Sequence, residues 1–177
     1  MATYLYRIMG AVGLDGGMYE DIEATPSVTW QAAVTVVLSS IATGLGATAW
    51  FDMTWRSILV VSAVALLTWA AWAVLMFQIG TRVLPAPETH SDLGELLRTT
   101  GFAAAPGFLQ AFALLPSIAL PAFIASTVWM FAAMVVAVRH ALDYSSIARA
   151  IAVCALAAGL CVAVAAVLGL LLSRPTA

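Results

Sequence analysis

Few residues in this chain are of types that do chemistry, and their spacing serves catalysis poorly. His140 and Asp143 stand one helical turn apart in "RHALDYSSIAR" and would make an acid–base pair if a nucleophile stood beside them. The chain offers none in a recognisable setting. No Gly-rich phosphate loop is present, and no serine sits in a nucleophile elbow. His90 falls in a different loop, so surface or capping roles are the preferred reading of both histidines. Cys154 and Cys161 lie seven residues apart in one apolar segment, about 10 Å along a helix, beyond disulfide reach. No Cys-x-x-Cys or His/Cys cluster points to a metal, and both cysteines read as small packing residues. The expectation is a protein that is no enzyme and carries no cofactor and no metal.

The remaining candidate is "GFAAAPGFLQAFALLP", Gly101 to Pro116, an apolar stretch interrupted by Pro106 and Gln110. Pro106 has no N–H, so the Phe102 carbonyl loses its helical partner. In hydrocarbon that carbonyl needs protein, water or a local change of helix type. Gln110 follows four residues on, on the same helix face, and Gln78 falls near the end of another apolar segment. Broken helices with polar neighbours form midplane sites in transporters, usually as paired breaks in two repeats. No second copy is found here. Three readings stay open: a bend or packing device, a hinge, or a ligand or ion site. The first is preferred, with Gly101, Pro106, Gln110 and Pro116 as its residues.

The elements that must position these residues are membrane helices. Of 177 residues 63% are hydrophobic and 9% charged, and the mean hydropathy is +1.02. Soluble domains are about 45–50% apolar and about 25% charged, so this composition belongs to an integral membrane protein. The net charge of −2 and the absence of any basic run argue against nucleic acid. "MATYLYRIMG" lacks the sustained apolar core of a signal peptide, so the first span is expected to direct insertion. Residues 1–28 read as an N-terminal segment with a short interfacial helix, and residues 29–177 as a transmembrane domain. Within residues 1–28, Met18 and Ile22 share one face of a short helix after "LDGG", and Pro26 ends it.

Span one runs from Trp30 to Trp50, about 30 Å, the thickness of the hydrocarbon, with the two tryptophans as interfacial belts. Its Ser40/Gly44 and Ala42/Gly46 pairs allow close helix approach. A polar turn with Asp52 and Arg56 leads to span two, Ile58 to Ile79, with Trp69 and Trp72 on one face as packing residues. After a proline-stiffened loop, Asp92 and Glu95 have the spacing of a capping box. They open an amphipathic helix with Leu93, Leu96 and Leu97 on one side and Glu95, Arg98 and Thr99 on the other, expected to lie in the interface. Span three is short, Gly101 to Leu115. Spans four and five are Ala122–Val138 and Ile147–Leu172, the last with a small-residue row at Ala155, Gly159 and Ala163.

Five spans with the N-terminus inside place Arg7, Arg82, Arg98, Arg139 and Arg149 inside, and Arg56 and Arg174 outside. Five against two satisfies the positive-inside rule. Most of the acids fall on the same face, which raises the alternatives of a solvated loop face and an ion-paired layer holding Arg98, Arg139, Asp143 and Arg149.

Three segments carry a resemblance. "LDGGMYEDIEATPSVTWQAAVTVVLSSIATGLGA", "LGELLRTTGFAAAPGFL" and "VRHALDYSSIARAIAV" resemble bacterial members of the Yip1-domain family, in the expected order and over nearly the whole chain. The resemblance implies five transmembrane helices, a cytoplasmic N-terminus and an outside C-terminus. Its matched motif residues are Gly101, Pro106, Arg139 and Asp143, none of them an established catalytic residue of the family. Gln110 departs from the mainly aliphatic span, with a basic residue near its start, that the family leads one to expect. Eukaryotic relatives are associated with vesicle traffic and small-GTPase partners, a role that does not transfer to a bacterial-type chain.

The resulting expectation is an all-α bundle of five transmembrane helices in the bacterial inner membrane. It acts as a non-enzymatic scaffold or accessory subunit that meets membrane lipids and other membrane proteins, or shapes the local membrane. The alternative is a small channel or permease built around the broken third span.

Overall fold

The computed structural model describes residues 2–47 and 54–172, and these form helices with no strand among them. Trp50, Asp52 and Arg174, assigned above to the outer belt and outer loops, lie outside the described residues. The elements are α1 (Ala2–Val12), α2 (Gly16–Ala24), α3 (Thr29–Ala47), α4 (Trp55–Gln78), α5 (Leu93–Phe102), α6 (Ala119–Ala141) and α7 (Ile147–Leu172). A π turn, Ile79–Val83, extends α4, and a 3-10 helix, Ala105–Leu114, links α5 to α6.

Four helical segments among the described residues are long and apolar enough to cross a membrane: Pro26–Ala47, Trp55–Val83, Ala119–Ala141 and Ile147–Val164. Their outward faces are greasy. Leu59, Val60, Val64 and Leu67 on α4, and Leu120, Phe123 and Ile124 on α6, are exposed, as side chains facing hydrocarbon would be. The chain is an integral membrane protein with an all-helical bundle.

The expected third α-helical span is replaced by something else. α5 ends at Phe102, a turn follows, and the chain then runs as a ten-residue 3-10 helix. Such helices seldom exceed three or four residues, and each residue advances about 2.0 Å instead of 1.5 Å. Ten residues therefore cover about 20 Å, where an α-helix of that length covers about 15 Å. Pro106 opens the segment and has no N–H to give the preceding turn. Gly107 N donates to Ala104 O at 2.9 Å, the tighter i to i−3 pattern. The Ser126 hydroxyl of α6 donates to the Pro106 carbonyl at 3.2 Å.

Close approaches to α3 fix the path of this segment. A Cβ on Gly101 would lie 2.6 Å from the Ala32 Cβ. Gly107 lies against the Ser39 hydroxyl, and Gly46 against the Gln110 carbonyl and Ala113. Residues 101 to 113 thus climb beside residues 32 to 46, parallel to α3. The small residues of α3, Ser40, Ala42, Gly44 and Gly46, are buried inside the bundle. Those of α7 are not: Ala155, Gly159 and Ala163 face outward, and nothing lies within 4 Å of a Cβ built on Gly159.

α5 also departs from expectation. The capping box is present, with Asp92 accepting from Glu95 N at 2.9 Å and Glu95 accepting from Asp92 N at 2.8 Å. Yet the helix does not lie on a surface with its polar side outward. Arg98, Thr99 and Thr100 are buried, while Leu93 is exposed. α5 is wedged between two apolar clusters. Leu96 joins Met76, Val138, Leu142 and Val153. Phe102 joins Tyr19, Ile22, Val28 and Ala32, the side chains that dock α2 and the start of α3. Threonines survive in this core because their hydroxyls bond back into their own helix: Thr99 donates to Glu95 O at 2.9 Å, and Thr100 to Leu96 O.

Candidate functional site

The polar groups converge where α2, α5 and the end of α6 meet. Asp15 caps α2 by accepting from Gly17 N at 3.0 Å, and the helix buries Met18, Tyr19 and Ile22 while its acids face the other way. α6 stops in a Schellman arrangement. Asp143 N donates to His140 O at 2.8 Å and Tyr144 N to Arg139 O at 2.8 Å. The closing residue must enter the left-handed region, and here it is Asp143 at φ 52°. Aspartate is one of the few side chains that visit this region at modest cost. The end of α6 is then locked onto the end of α4. The Tyr144 hydroxyl sits 2.9 Å from Gly80 O and 2.8 Å from Leu84 O, bridging the π turn, and Gly80 leaves room for Leu142.

A cavity of about 480 Å³ opens at this junction, lined among others by Glu20, Glu23, Arg139, His140, Asp143 and Ser145. Among the described residues Arg7 pairs with Asp21 at 2.8 Å, and His140 Nδ1 lies 3.4 Å from Glu20 Oε1. Arg7, Asp21 and Glu20 belong to the charges that the sequence gathers on this face, though not to the four residues named for a paired layer. Among the described residues, Arg98, Arg139, Asp143 and Arg149 form no salt bridge; the three arginines bond to main-chain carbonyls. Arg98 Nε reaches Glu23 O at 3.1 Å, Arg139 Nε reaches Tyr144 O at 3.2 Å, and Arg149 reaches Pro85 O at 3.4 Å. Guanidinium forks satisfy carbonyls left open at helix ends and loops, where a carboxylate partner would have to be desolvated too.

Burial pushes the Glu23 carboxyl up to about 7, helped by the nearby Glu95 and Asp143 carboxylates and opposed by Arg98. Burial also raises the Tyr144 phenol. Such a carboxyl can exchange a proton near neutral pH. His140 is held in place by packing: it stacks on Tyr19 with ring centroids 6.5 Å apart, and Gly16 lies under its Nε2. No hydrogen bond joins Ser145 to His140 among the described residues, and His90 does not line the cavity. Among the described residues no cluster of His, Cys, Asp and Glu is arranged to hold a metal ion.

The other sequence candidates lie elsewhere. Gly101 and Pro106 are buried at the corner between α5 and the 3-10 helix, and Pro116 is exposed in the bend before α6. Gln110 is buried against α3, and its Oε1 meets no donor among the described residues. Neither Gln110 nor Gln78 lines the polar cavity or the apolar cleft between α3 and α4, so the channel reading finds no polar path through them.

Sequence reasoning missed Tyr144 and counted Glu23 and Arg7 only among the charges of the inner face. Tyr144 had a usable signal, since it directly follows a helix-ending string. The Arg98 contact to Glu23 had none, because it joins positions 75 residues apart.

Compared with known proteins, the chain matches the family model described as Yip1 domain over residues 17–168. No curated protein and no solved structure matches it. The four motif residues named from the sequence fall within the matched range, and each serves backbone geometry: a close helix contact at Gly101, a change of helix type at Pro106, and a helix stop at Arg139 and Asp143.

Proposed function

Since the chain belongs to the Yip1-domain family, we propose that it is a non-enzymatic membrane scaffold or accessory subunit that presents the outer face of α7 to another membrane protein. The observation that carries this reading is the exposed row of Ala155, Gly159 and Ala163 on that face, which meets no partner among the described residues. Helices in lipid associate through van der Waals packing, and small-xxx-small rows allow the closest approach. The matching rows of α3 are already used inside the bundle; that of α7 is free to receive a partner helix. The structural roles of the motif residues support the same reading, since a scaffold needs a fixed shape and no reactive group.

In this reading residues 101–114 make the fifth crossing. They run parallel to α3 and end where α6 begins, so α3 and this segment travel one way while α4 and α6 travel back. The reading takes the N-terminus and the polar cavity to lie on the cytoplasmic side of a bacterial inner membrane and the C-terminus outside, and the arginine asymmetry supports it.

A photocrosslinking residue at Gly159, expressed in the native membrane, tests the proposal. We expect it to capture a neighbouring membrane protein, and the same probe at Leu67 on α4 to capture lipid. Gly159→Leu should abolish co-purification of that neighbour after mild solubilisation without changing thermal stability. Capture of no protein at position 159 would remove the accessory-subunit reading.

A further inference from the structure

The first two helices turn opposite kinds of side chain outward. α2 buries Met18, Tyr19 and Ile22 and leaves Glu20 and Asp21 exposed, the pattern of a helix whose outer medium is water. α1 is the reverse. Leu5, Tyr6 and Met9 are 57%, 66% and 72% exposed and share one face, at spacings of three and four residues. The polar side chains of Tyr4 and Arg7 turn inward instead. Arg7, the charged residue of α1, is buried and pairs with Asp21 at 2.8 Å, and the Tyr4 hydroxyl lies 2.9 Å from Thr35 Oγ1. Ile8 and Ala11 complete the inner face, packed in the cluster that holds Phe102. A helix that hides its charge and shows its largest apolar side chains suits an apolar medium on its outer side.

The end of α1 obeys the same rule. The last four carbonyls of a helix lack donors within it, and on a wet surface water can take them. In α1 protein takes all four. Gly13 N donates to Met9 O at 2.8 Å, Asp15 N to Gly10 O at 3.0 Å, Leu14 N to Ala11 O at 3.2 Å, and the Trp129 indole N–H to Val12 O at 2.8 Å. Hydrocarbon demands this, because it offers no donor of its own. The residue that closes the turn is Leu14, at φ 59°, where glycine or asparagine is usual. Leu14 joins Ala125, Val128 and Trp129 around an apolar hollow on the exposed side of α6. α1 thereby continues the lipid-facing surface of that span. Asp15, exposed, follows at once and caps α2, so the edge of the hydrocarbon falls at the turn between the two helices.

We propose that α1 is embedded in one leaflet of the membrane, with acyl chains covering Leu5, Tyr6 and Met9. Arg7 is spent on Asp21, so no cation of α1 faces the headgroups, and the embedding needs no anionic lipid. The proposal rests on the chain being an integral membrane protein. It is independent of the scaffold reading, which concerns α7.

Spin labelling of the full chain in vesicles tests it, in a Cys154→Ala, Cys161→Ala background. Labels on Leu5→Cys and Met9→Cys should be open to oxygen and shielded from a water-soluble nickel chelate, as should a label on Leu67→Cys at the exposed face of α4. Their depth should read about 5–10 Å below the headgroup boundary. A label on Glu88→Cys, in an exposed loop, gives the aqueous reference. The result should be the same in phosphatidylcholine vesicles with and without phosphatidylglycerol. Each labelled chain is first shown to match the wild type by circular dichroism; if one of the α1 variants fails to fold, the other decides. Nickel access equal to that at position 88 overturns the proposal, because water then covers the face. Shielding from both oxygen and nickel also overturns it, because protein then covers the face; spin–spin broadening that unlabelled chain dilutes away would identify that protein as a second copy. Embedding seen only in the anionic vesicles overturns it as well.

Discussion

Gly101→Ala probes the contact on which the bundle's centre depends. A Cβ at position 101 would stand 2.6 Å from the Ala32 Cβ and 3.1 Å from the Ala32 Cα and carbonyl carbon. Ordinary carbon–carbon contact begins near 3.5 Å, so the intrusion is about 0.9 Å. The obstructing atoms are backbone and a Cβ, which cannot rotate away. Overpacking costs about 1–3 kcal/mol, and an intrusion this deep into backbone that cannot move belongs at the upper end, about 2–3 kcal/mol. Alanine regains about 1 kcal/mol over glycine in a helix. The net expectation is a loss of about 1–2 kcal/mol, or about 2–8 °C in Tm for a chain of this size. Thermal unfolding in mild detergent, followed by size-exclusion of the surviving fraction, would measure it. Ala32→Gly removes the struck Cβ and should restore part of the loss, with a coupling of about 0.5–2 kcal/mol in a double-mutant cycle. If Gly101→Ala is as stable as the wild type, or Ala32→Gly recovers nothing, the close packing of α5 on α3 does not hold the fold together as argued.

Other expectations follow from the polar end of the bundle. Asp143→Gly should raise Tm by relieving the left-handed backbone at φ 52°, while Asp143→Val, β-branched, should lower stability by about 1–2 kcal/mol. Tyr144→Phe leaves the Gly80 and Leu84 carbonyls without their shared donor and should cost about 1–3 kcal/mol in the same melt. Glu23 titrates near 7 in the folded chain against an ordinary value of 4.5. The folded state therefore holds a proton that the unfolded chain releases earlier. The stability this supplies is complete below pH 4.5 and is lost as pH rises through 7. Glu23 is partly exposed and screened by solvent, so the effect is discounted to about 1–2 kcal/mol. Glu23→Gln should flatten the Tm–pH curve between those limits, and an unchanged slope would dismiss Glu23 as its source.

Composition and periodicity decided the class of this protein and most of its helix boundaries. Sixty-three per cent apolar residues with few charges leave no other solvent than lipid. The Asp92–Glu95 capping box and the α7 bounds were legible because caps and apolar runs are local signals that need no partner. That the helix breaks at Pro106 was legible because the missing N–H is a local property of proline. What the sequence could not carry is what a residue meets far along the chain. Arg98 sits opposite a leucine stripe and reads as a solvated face; only the docking of α2, with Glu23 O as acceptor, makes it a buried residue. The contacts of Arg98, Arg139 and Arg149 to main-chain carbonyls were illegible for the same reason, since such acceptors are invisible to a count of charges. The 3-10 helix likewise depends on how closely Gly46 and Gly107 let backbone approach α3. Small-residue rows look alike on α3 and α7. Packing consumes the first and leaves the second open, and only the tertiary structure could say which.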